Sequence, residues 1–395
     1  MEVLVVGAGI AGPTLAYWLL RAGHTPTLVE HAHGPRSGGH LVDFWGAGFD
    51  VAERMGIVPE LTRRGHRLAE ARAVSASGRR IATFELSTFV GPDDRYVSIA
   101  RSDLASVIYA ALEGRVETIF GDSVRTLDDD GDAVHVTFES GAVRVFELVI
   151  GADGLHSRVR RLAFGTPERF EVNLGLVASA FDVVGYRPRD DLVTVLYAEV
   201  GFQLVRLSLP DDVTMFLVTA RHGGAAPEDP AAQQSLLRER LSRGGWETSA
   251  VLEAMTSART FYFDRVSQIR MPAWSRGRVG LVGDAAASPS LLAGQGSALA
   301  MVEAYVLAAE LSRSDGDHVG AFARYHARLA ALLRSKQDAA RGLGLAFAPS
   351  SSLHLVARNA TIRLMGLPFV ARRVMGRSLR DAVELPAETT FHRFP

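Results

Sequence analysis

The chain contains no cysteine and one lysine, Lys336. Without cysteine there can be no disulfides, no thiolate metal sites and no cysteine redox chemistry. With so little lysine, the basic charge is almost all arginine, which favours bidentate contacts to carboxylate and phosphate. Charge of either sign is not in excess: 43 Lys+Arg against 44 Asp+Glu give a net charge of -1. That balance offers no electrostatic pull towards nucleic acid or an anionic membrane. Apolar runs are short, and none reaches the roughly 20 residues of a spanning helix. The first motif begins directly after Met1, which leaves no room for a targeting peptide and gives a cytoplasmic location by default. Internal repeats and low-complexity segments are also lacking.

What is present is a soluble composition with 38 glycines and a length that suits two domains. The opening stretch organises the rest. Val3 to Val6 reads as a buried parallel strand. Gly7, Gly9 and Gly12 follow at G-x-G-x-x-G spacing, with Ile10 and Ala11 between the last two. Leu15, Trp18, Leu19 and Ala22 then recur at helical spacing. Gly7 suits a tight turn, Gly9 the approach of a pyrophosphate, and Gly12 the packing of helix on strand. The helix N-terminus offers free N–H groups to the phosphates. Pro13 suits the first turn and Gly23 the C-terminal cap. A second strand, Thr25 to Val29, ends in Glu30, an acid placed to accept both ribose hydroxyls of an adenosine.

Further along, residues 31–40 form a Gly/Pro-rich loop, and about 71–84 read as a hairpin around Ser77-Gly78. Ser102 opens a helical pattern. Val134–Phe138 and Val143–Phe146 flank Gly141 as a second hairpin. Leu148-Val-Ile-Gly-Ala leads to Asp153-Gly154. From about Phe170 to Ile269 the pattern alternates, as in Thr194–Ala198 and Phe202–Leu207, which predicts an antiparallel sheet with one polar face. Arg278-Val-Gly-Leu-Val leads to Gly283-Asp284. Gly294-Gln-Gly296 opens a helix through Leu311, and another runs from about Val319 to Leu345. The tail from Ser351 is apolar with arginines, including Arg358, and reads as a helix packed on the body, with a membrane surface as the alternative. Three acids at strand ends, Glu30, Asp153 and Asp284, can meet one extended ligand beyond the carboxyl ends of a parallel sheet. Each alone also suits a turn or helix cap.

These residues together resemble the single-component (class A) flavoprotein monooxygenases related to p-hydroxybenzoate hydroxylase. The resemblance covers most of the chain. It implies an α/β fold: a Rossmann-like FAD-binding domain with a parallel sheet, a substrate domain with a mostly antiparallel sheet, and C-terminal helices. The implied division is 1–70, 98–165 and 275–345 for FAD, 71–97 and 166–274 for substrate, and 346–395 as a tail. By resemblance Gly7, Gly9, Gly12 and Glu30 hold the ADP part of FAD. Asp153-Gly154 matches a motif associated with FAD and transient NAD(P)H contact. Asp284 holds the ribityl chain, and Gly294 and Gly296 meet the pyrimidine end of the flavin. Arg36, Gly39 and Arg101 lie along the cofactor.

The family's pattern is not fully kept after Asp284. Ala287 stands where many relatives have histidine, Leu291 where they have proline, with Pro289 nearby, and Ala298 where asparagine is common. The implied chemistry uses non-covalent FAD, NADPH or NADH as transient reductant, and O2. A flavin C4a-hydroperoxide then hydroxylates an aromatic or polycyclic, polyketide-like small molecule of the kind met in secondary metabolism. The flavin supplies the difficult chemistry and the protein supplies position and dryness. No residue stands out as a base for proton removal. Tyr197 and His222 are the candidates in the second domain, and each also suits an ordinary core or surface position. Leu291 and Leu292 are expected to line an apolar substrate pocket. Baeyer–Villiger oxygenation, a flavin-dependent reductase and a flavin-binding protein without turnover are the rivals. The oligomeric state is not readable.

Overall fold

The computed structural model describes residues 1–34, 40–85, 95–365, 384–388 and 391. Arg36 and Gly39 lie outside these residues. The strand Glu2–Val6 sits inside a six-stranded sheet. Its spatial order is Ser275–Arg276, Val279–Leu281, Leu148–Gly151, Glu2–Val6, Thr25–Glu30, Glu117–Phe120. Val3 lies opposite Leu148 on one side and Pro26 on the other, both in parallel register. Only the edge strand Ser275–Arg276 runs antiparallel. Val3, Leu4 and Val5 are fully buried, as expected of a strand covered on both faces. The helix Gly296–Ser312 is apolar apart from Glu303 and Glu310 along the length that is buried, Ala298 to Leu311. It packs against Ala11–Arg21, Ala47–Arg54 and His318–Phe347. A helix with no polar stripe is stable only in such an enclosed place.

The second large sheet has seven strands. Their order is Thr260–Ile269, Glu171–Val184, Val213–Arg221, Phe202–Ser208, Val193–Glu199, Glu70–Val74, Arg80–Glu85. All neighbours are antiparallel except Glu70–Val74, which pairs parallel with Val193–Glu199. The period of two divides its residues between two faces. One face carries Val177, Phe181, Tyr197, Phe202, Leu204, Phe216 and Val218, packed with Leu237 and Val251 of the helices Pro230–Leu241 and Thr248–Ala254. The other carries Ala178, Val205, Leu207, Met215 and Val266, and meets Leu41 and the Leu291–Ala293 turn.

This corrects the expectation of a polar face. Every residue of Phe202–Ser208 is buried, because the side away from the two helices is covered as well, Val205 and Leu207 by Leu41 and Leu68 and Gln203 by Arg358. The tail forms a helix, Ser352–Met365, with no buried residue. Leu353, Val356 and Leu364 are exposed on it. Among the described residues, no helix is long and apolar enough to cross a membrane.

Candidate flavin and substrate site

The glycine turn after Glu2–Val6 has the shape a dinucleotide needs. Gly7 sits at φ +105°, and a side chain there would meet the Ala152 carbonyl at 2.6 Å. A side chain at Gly12 would run into the Gly7 carbonyl, whereas one at Gly9 would meet nothing within 4 Å. Two glycines therefore allow close backbone packing and the third borders open space. The helix Ala11–Arg21 begins with Ile10 and Ala11, with no side-chain cap and no acid in its first turn. Its first N–H groups are left for an anion. The Glu30 carboxylate, 7% exposed, accepts from the Ala8 amide at 2.8 Å and the Ala32 amide at 3.1 Å. His31 Nδ1 lies 2.9 Å from it. These contacts fix the carboxylate at the strand end beside the glycine turn.

The other two strand-end acids differ sharply. Asp153 accepts from the Ser157 hydroxyl at 2.5 Å and from the amides of Arg158 and Val159 at 2.7 and 3.1 Å. Its carboxylate serves the start of the helix Arg158–Phe164. Burial pushes its pKa up and these donors pull against that. Asp284 follows Gly283, which sits at φ +66°, and faces Gly296, whose added side chain would lie 3.9 Å from Asp284 Oδ1. No hydrogen bond from the described residues occupies the Asp284 carboxylate. Gly294 is left-handed (φ +65°) and borders open space. The helix from Gly296 again has no side-chain cap and no acid in its first turn. The open glycines, the two uncapped helix starts and the unoccupied Asp284 fit FAD.

Two buried residues that the sequence reading passed over hold this frame together. Arg160 donates to the Ala285 carbonyl at 3.0 Å and the Leu155 carbonyl at 2.6 Å. It thereby joins the Asp153 loop to the Asp284 turn. Glu303 accepts from the Gly283 amide at 2.9 Å and from the Tyr325 hydroxyl at 3.3 Å. An acid in the middle of an otherwise apolar helix was the available signal for Glu303.

The face of the seven-stranded sheet opposite its two helices meets the Asp284 turn through the strand Thr260–Ile269. Tyr262 pairs with Ala180, and Asp264 with Ala178, so a tyrosine and an acid flank two small residues on one face. The ring of His40 lies 5.3 Å from that of Tyr262. Burial, then the charge of Arg101, pulls His40 down to about 4, so His40 is neutral at physiological pH. Burial raises Tyr262, with Asp264 and Asp284 adding and Arg101 opposing. Arg101, which opens the helix Arg101–Ala110, is thus within electrostatic reach of both rings. Asp264 also meets His156 Nε2 at 2.9 Å.

Leu292 is buried against Leu176, Ala178 and Val266, with Leu291 beside it. Their loop is held by Gln268, which donates to the Pro289 carbonyl, and by Gln337, which donates to that of Ser288. Ser290, at φ +82°, is a strained residue kept in place by these clamps.

Tyr197 and His222 are not brought to this site. Tyr197 lies on the other face of the sheet, fully buried. It accepts from the Gly245 amide at 2.9 Å and donates to Glu199 at 3.0 Å. The alternation placed it in a strand without telling which face is which. His222 folds onto its own loop, with Nε2 2.9 Å from the Ala225 carbonyl. His40 and Tyr262, missed in the sequence, are instead brought together on the opposite face of the sheet.

The parallel sheet, the dinucleotide turn and a sheet laid across its mouth define a flavin-binding oxidoreductase fold. Residues 1–318 match the FAD binding domain family. A flavin-dependent monooxygenase of Legionella longbeachae is 34% identical over 349 residues, covering 87% of this chain and 88% of its own. An uncharacterized Mycobacterium tuberculosis protein is 40% identical over 344 residues, covering 85% of this chain and 91% of its own. Among solved structures, the tetracycline destructase Tet(55) is 32% identical, with a TM-score of 0.83 and 98% of both chains covered. The chain belongs to the FAD-dependent, class A monooxygenase family.

Proposed function

We propose that the protein uses NAD(P)H and O2 to hydroxylate an elongated polycyclic small molecule that carries phenol or enol groups. The observation that carries this reading is the pair His40 and Tyr262, rings 5.3 Å apart, with Tyr262 on the strand that meets the Asp284 turn. Similarity to the tetracycline destructase, which acts on a polycyclic compound, supports the same substrate class.

FAD, when bound, supplies hydride acceptance and oxygen activation. Gly9, the first turn of Ala11–Arg21 and Glu30 are the groups for its ADP part. Asp284, Gly294 and Gly296 serve the ribityl and pyrimidine parts. Leu291 and Leu292 exclude water, which limits loss of reducing equivalents to peroxide. Neutral His40 and the Tyr262 hydroxyl orient a phenol or enol by hydrogen bonding, without putting a second charge beside the ring. The reductant docks transiently at the flavin.

The test is NADPH and NADH oxidation by FAD-loaded protein, with oxygen uptake and product mass, across tetracycline and a panel of polycyclic phenols and quinones. Substrate-stimulated oxidation with one oxygen atom incorporated is the expected result. Product NMR separates hydroxylation from Baeyer–Villiger ring insertion. Reductant consumption that no member of the panel stimulates would overturn the reading.

A further inference from the structure

The helix Ser352–Met365 turns its apolar stripe outward. Leu353, Val356, Ala360 and Leu364 recur at i, i+3, i+7 and i+11, which puts them on one side of the helix. All four are exposed, Leu353 at 75%, Val356 at 65% and Leu364 at 58%. Leu355, Arg358 and Ile362 lie on the opposite side and are half-buried. Arg358 fixes that side to the body: it donates to the Ala346 carbonyl and to Gln203 Oε1, both at 2.7 Å. The helix cannot turn its stripe inward without giving up these contacts. Ala346 belongs to the end of the helix His318–Phe347, where Leu343 and Leu345 are exposed as well. A surface helix ordinarily buries its apolar side, and an apolar patch left outside on a folded protein marks an interaction surface.

The charge around this stripe is of one sign, although the chain as a whole is close to neutral. From Ala339 to Met365 there are three arginines and no acid, and in sequence the run without an acid continues to Arg380. Arg341 and Arg363 are exposed, and no carboxylate among the described residues pairs with either. Arg363 directly precedes Leu364, at the border of the stripe. An anionic bilayer surface meets both features at once. Its acyl boundary takes the apolar side chains, and its headgroups take the guanidinium groups, whose stems lie along the apolar side. The helix has 14 residues, about 21 Å at 1.5 Å per residue, and suits lying along the interface.

We propose that the helix Ser352–Met365 docks this protein on an anionic phospholipid surface, with Leu353, Val356 and Leu364 in the acyl boundary and Arg341 and Arg363 at the headgroups. The proposal goes beyond the reaction argued above and does not depend on it. The contact between Arg358 and Gln203 ties the docked helix to the seven-stranded sheet, so docking holds that sheet beside the bilayer.

The test is sedimentation of FAD-loaded, full-length protein with vesicles of phosphatidylcholine alone or of an equimolar mixture with phosphatidylserine. Wild type is expected to partition onto the mixed vesicles at least about fivefold better than onto phosphatidylcholine, the factor for one arginine near an anionic surface. Raising the salt concentration should reduce that preference. A variant combining Leu353→Ser, Val356→Ser and Leu364→Ser should lower partitioning by about tenfold or more. A variant combining Arg341→Gln and Arg363→Gln should lose most of the preference for mixed vesicles. All five side chains are exposed, so FAD content and thermal midpoint should stay at wild-type values, and the arginine variant keeps the test decisive if the serine variant loses either. Wild type that stays in solution with mixed vesicles, equal binding to both kinds of vesicle, or a serine variant that binds as wild type does overturns the proposal. A wild-type dimer that the serine substitutions convert to monomer, without vesicle binding, also overturns it and gives the stripe to a second copy of the chain.

Discussion

Glu303 accepts the amide hydrogen of Gly283 at 2.9 Å, immediately before Asp284. The side chain is 2% exposed. Burial pushes its pKa up to about 8; the charge of Asp284 adds to this, while the Gly283 amide and the Tyr325 hydroxyl oppose it. The turn that presents Asp284 is thus braced from inside by a carboxyl that is mostly neutral at pH 7.

That bracing makes stability depend on pH. An unfolded glutamate loses its proton near pH 4.5, whereas the folded Glu303 keeps it to about 8. Between those values the native state binds a proton that the unfolded chain does not, so stability falls as pH rises through the window and levels off above it. At about 1.4 kcal/mol per pH unit the penalty is several kcal/mol. Glu303→Gln, neutral throughout, should flatten this dependence and melt above wild type at pH 8. Thermal unfolding at pH 5, 6.5 and 8 checks it. Parallel curves for the two proteins would show that Glu303 is ionised in the native state.

Asp284 and Asp153 should respond differently to alanine. Asp284 is available to the ribityl chain, and losing a charged hydrogen bond costs about 1.5–3 kcal/mol. Asp284→Ala is therefore expected to weaken FAD roughly tenfold to a hundredfold. Asp153→Ala removes the acceptor for two helix amides and the Ser157 hydroxyl, and should lower stability more than flavin affinity. Flavin titration and urea unfolding of both variants decide. Equal flavin affinity in wild type and Asp284→Ala removes Asp284 from the site.

Leu291 stands beside Leu292 at the sheet face. Leu291→Asp brings charge and water to that wall. In variant protein that retains FAD, the ratio of oxygenated product to NADPH consumed should drop, with hydrogen peroxide making up the difference. An unchanged ratio would show that Leu291 only packs its loop.

Tyr197→Phe is expected to leave that ratio unchanged. It strips the Gly245 amide of its acceptor, which should cost about 1–3 kcal/mol of stability. Urea unfolding alongside the coupling ratio separates the two effects, and loss of coupling at full stability would return Tyr197 to the substrate site.

The FAD half was legible because its demands are local. Gly7, Gly9 and Gly12 sit within one turn, and Glu30 ends the next strand, so the spacing along the chain carries the geometry. The substrate half was not. Tyr197 and Tyr262 both occupy alternating strands, and only the cover on each face decides that Tyr197 packs under the two helices while Tyr262 lies on the side of His40. His40 depends on pairing between Leu41–Trp45 and Tyr96–Ala100, which spacing does not reveal.

The parallel sheet also dictates the order in which the molecule can be built. Val3 has Leu148 as one neighbour, and Leu148–Gly151 in turn awaits Val279–Leu281. A ribosome adding about 5–20 residues per second makes Leu148 roughly 7–30 seconds after Val3. For that interval one side of the strand Glu2–Val6 has no native partner. The seven-stranded sheet is threaded between these events, since its strands from Glu171 to Ile269 are made before Val279 appears. The substrate half can therefore close before the cofactor half, and synthesis passes through a stage with an apolar, unpaired strand edge. Such an edge is a template for aggregation until Leu148–Gly151 fills it.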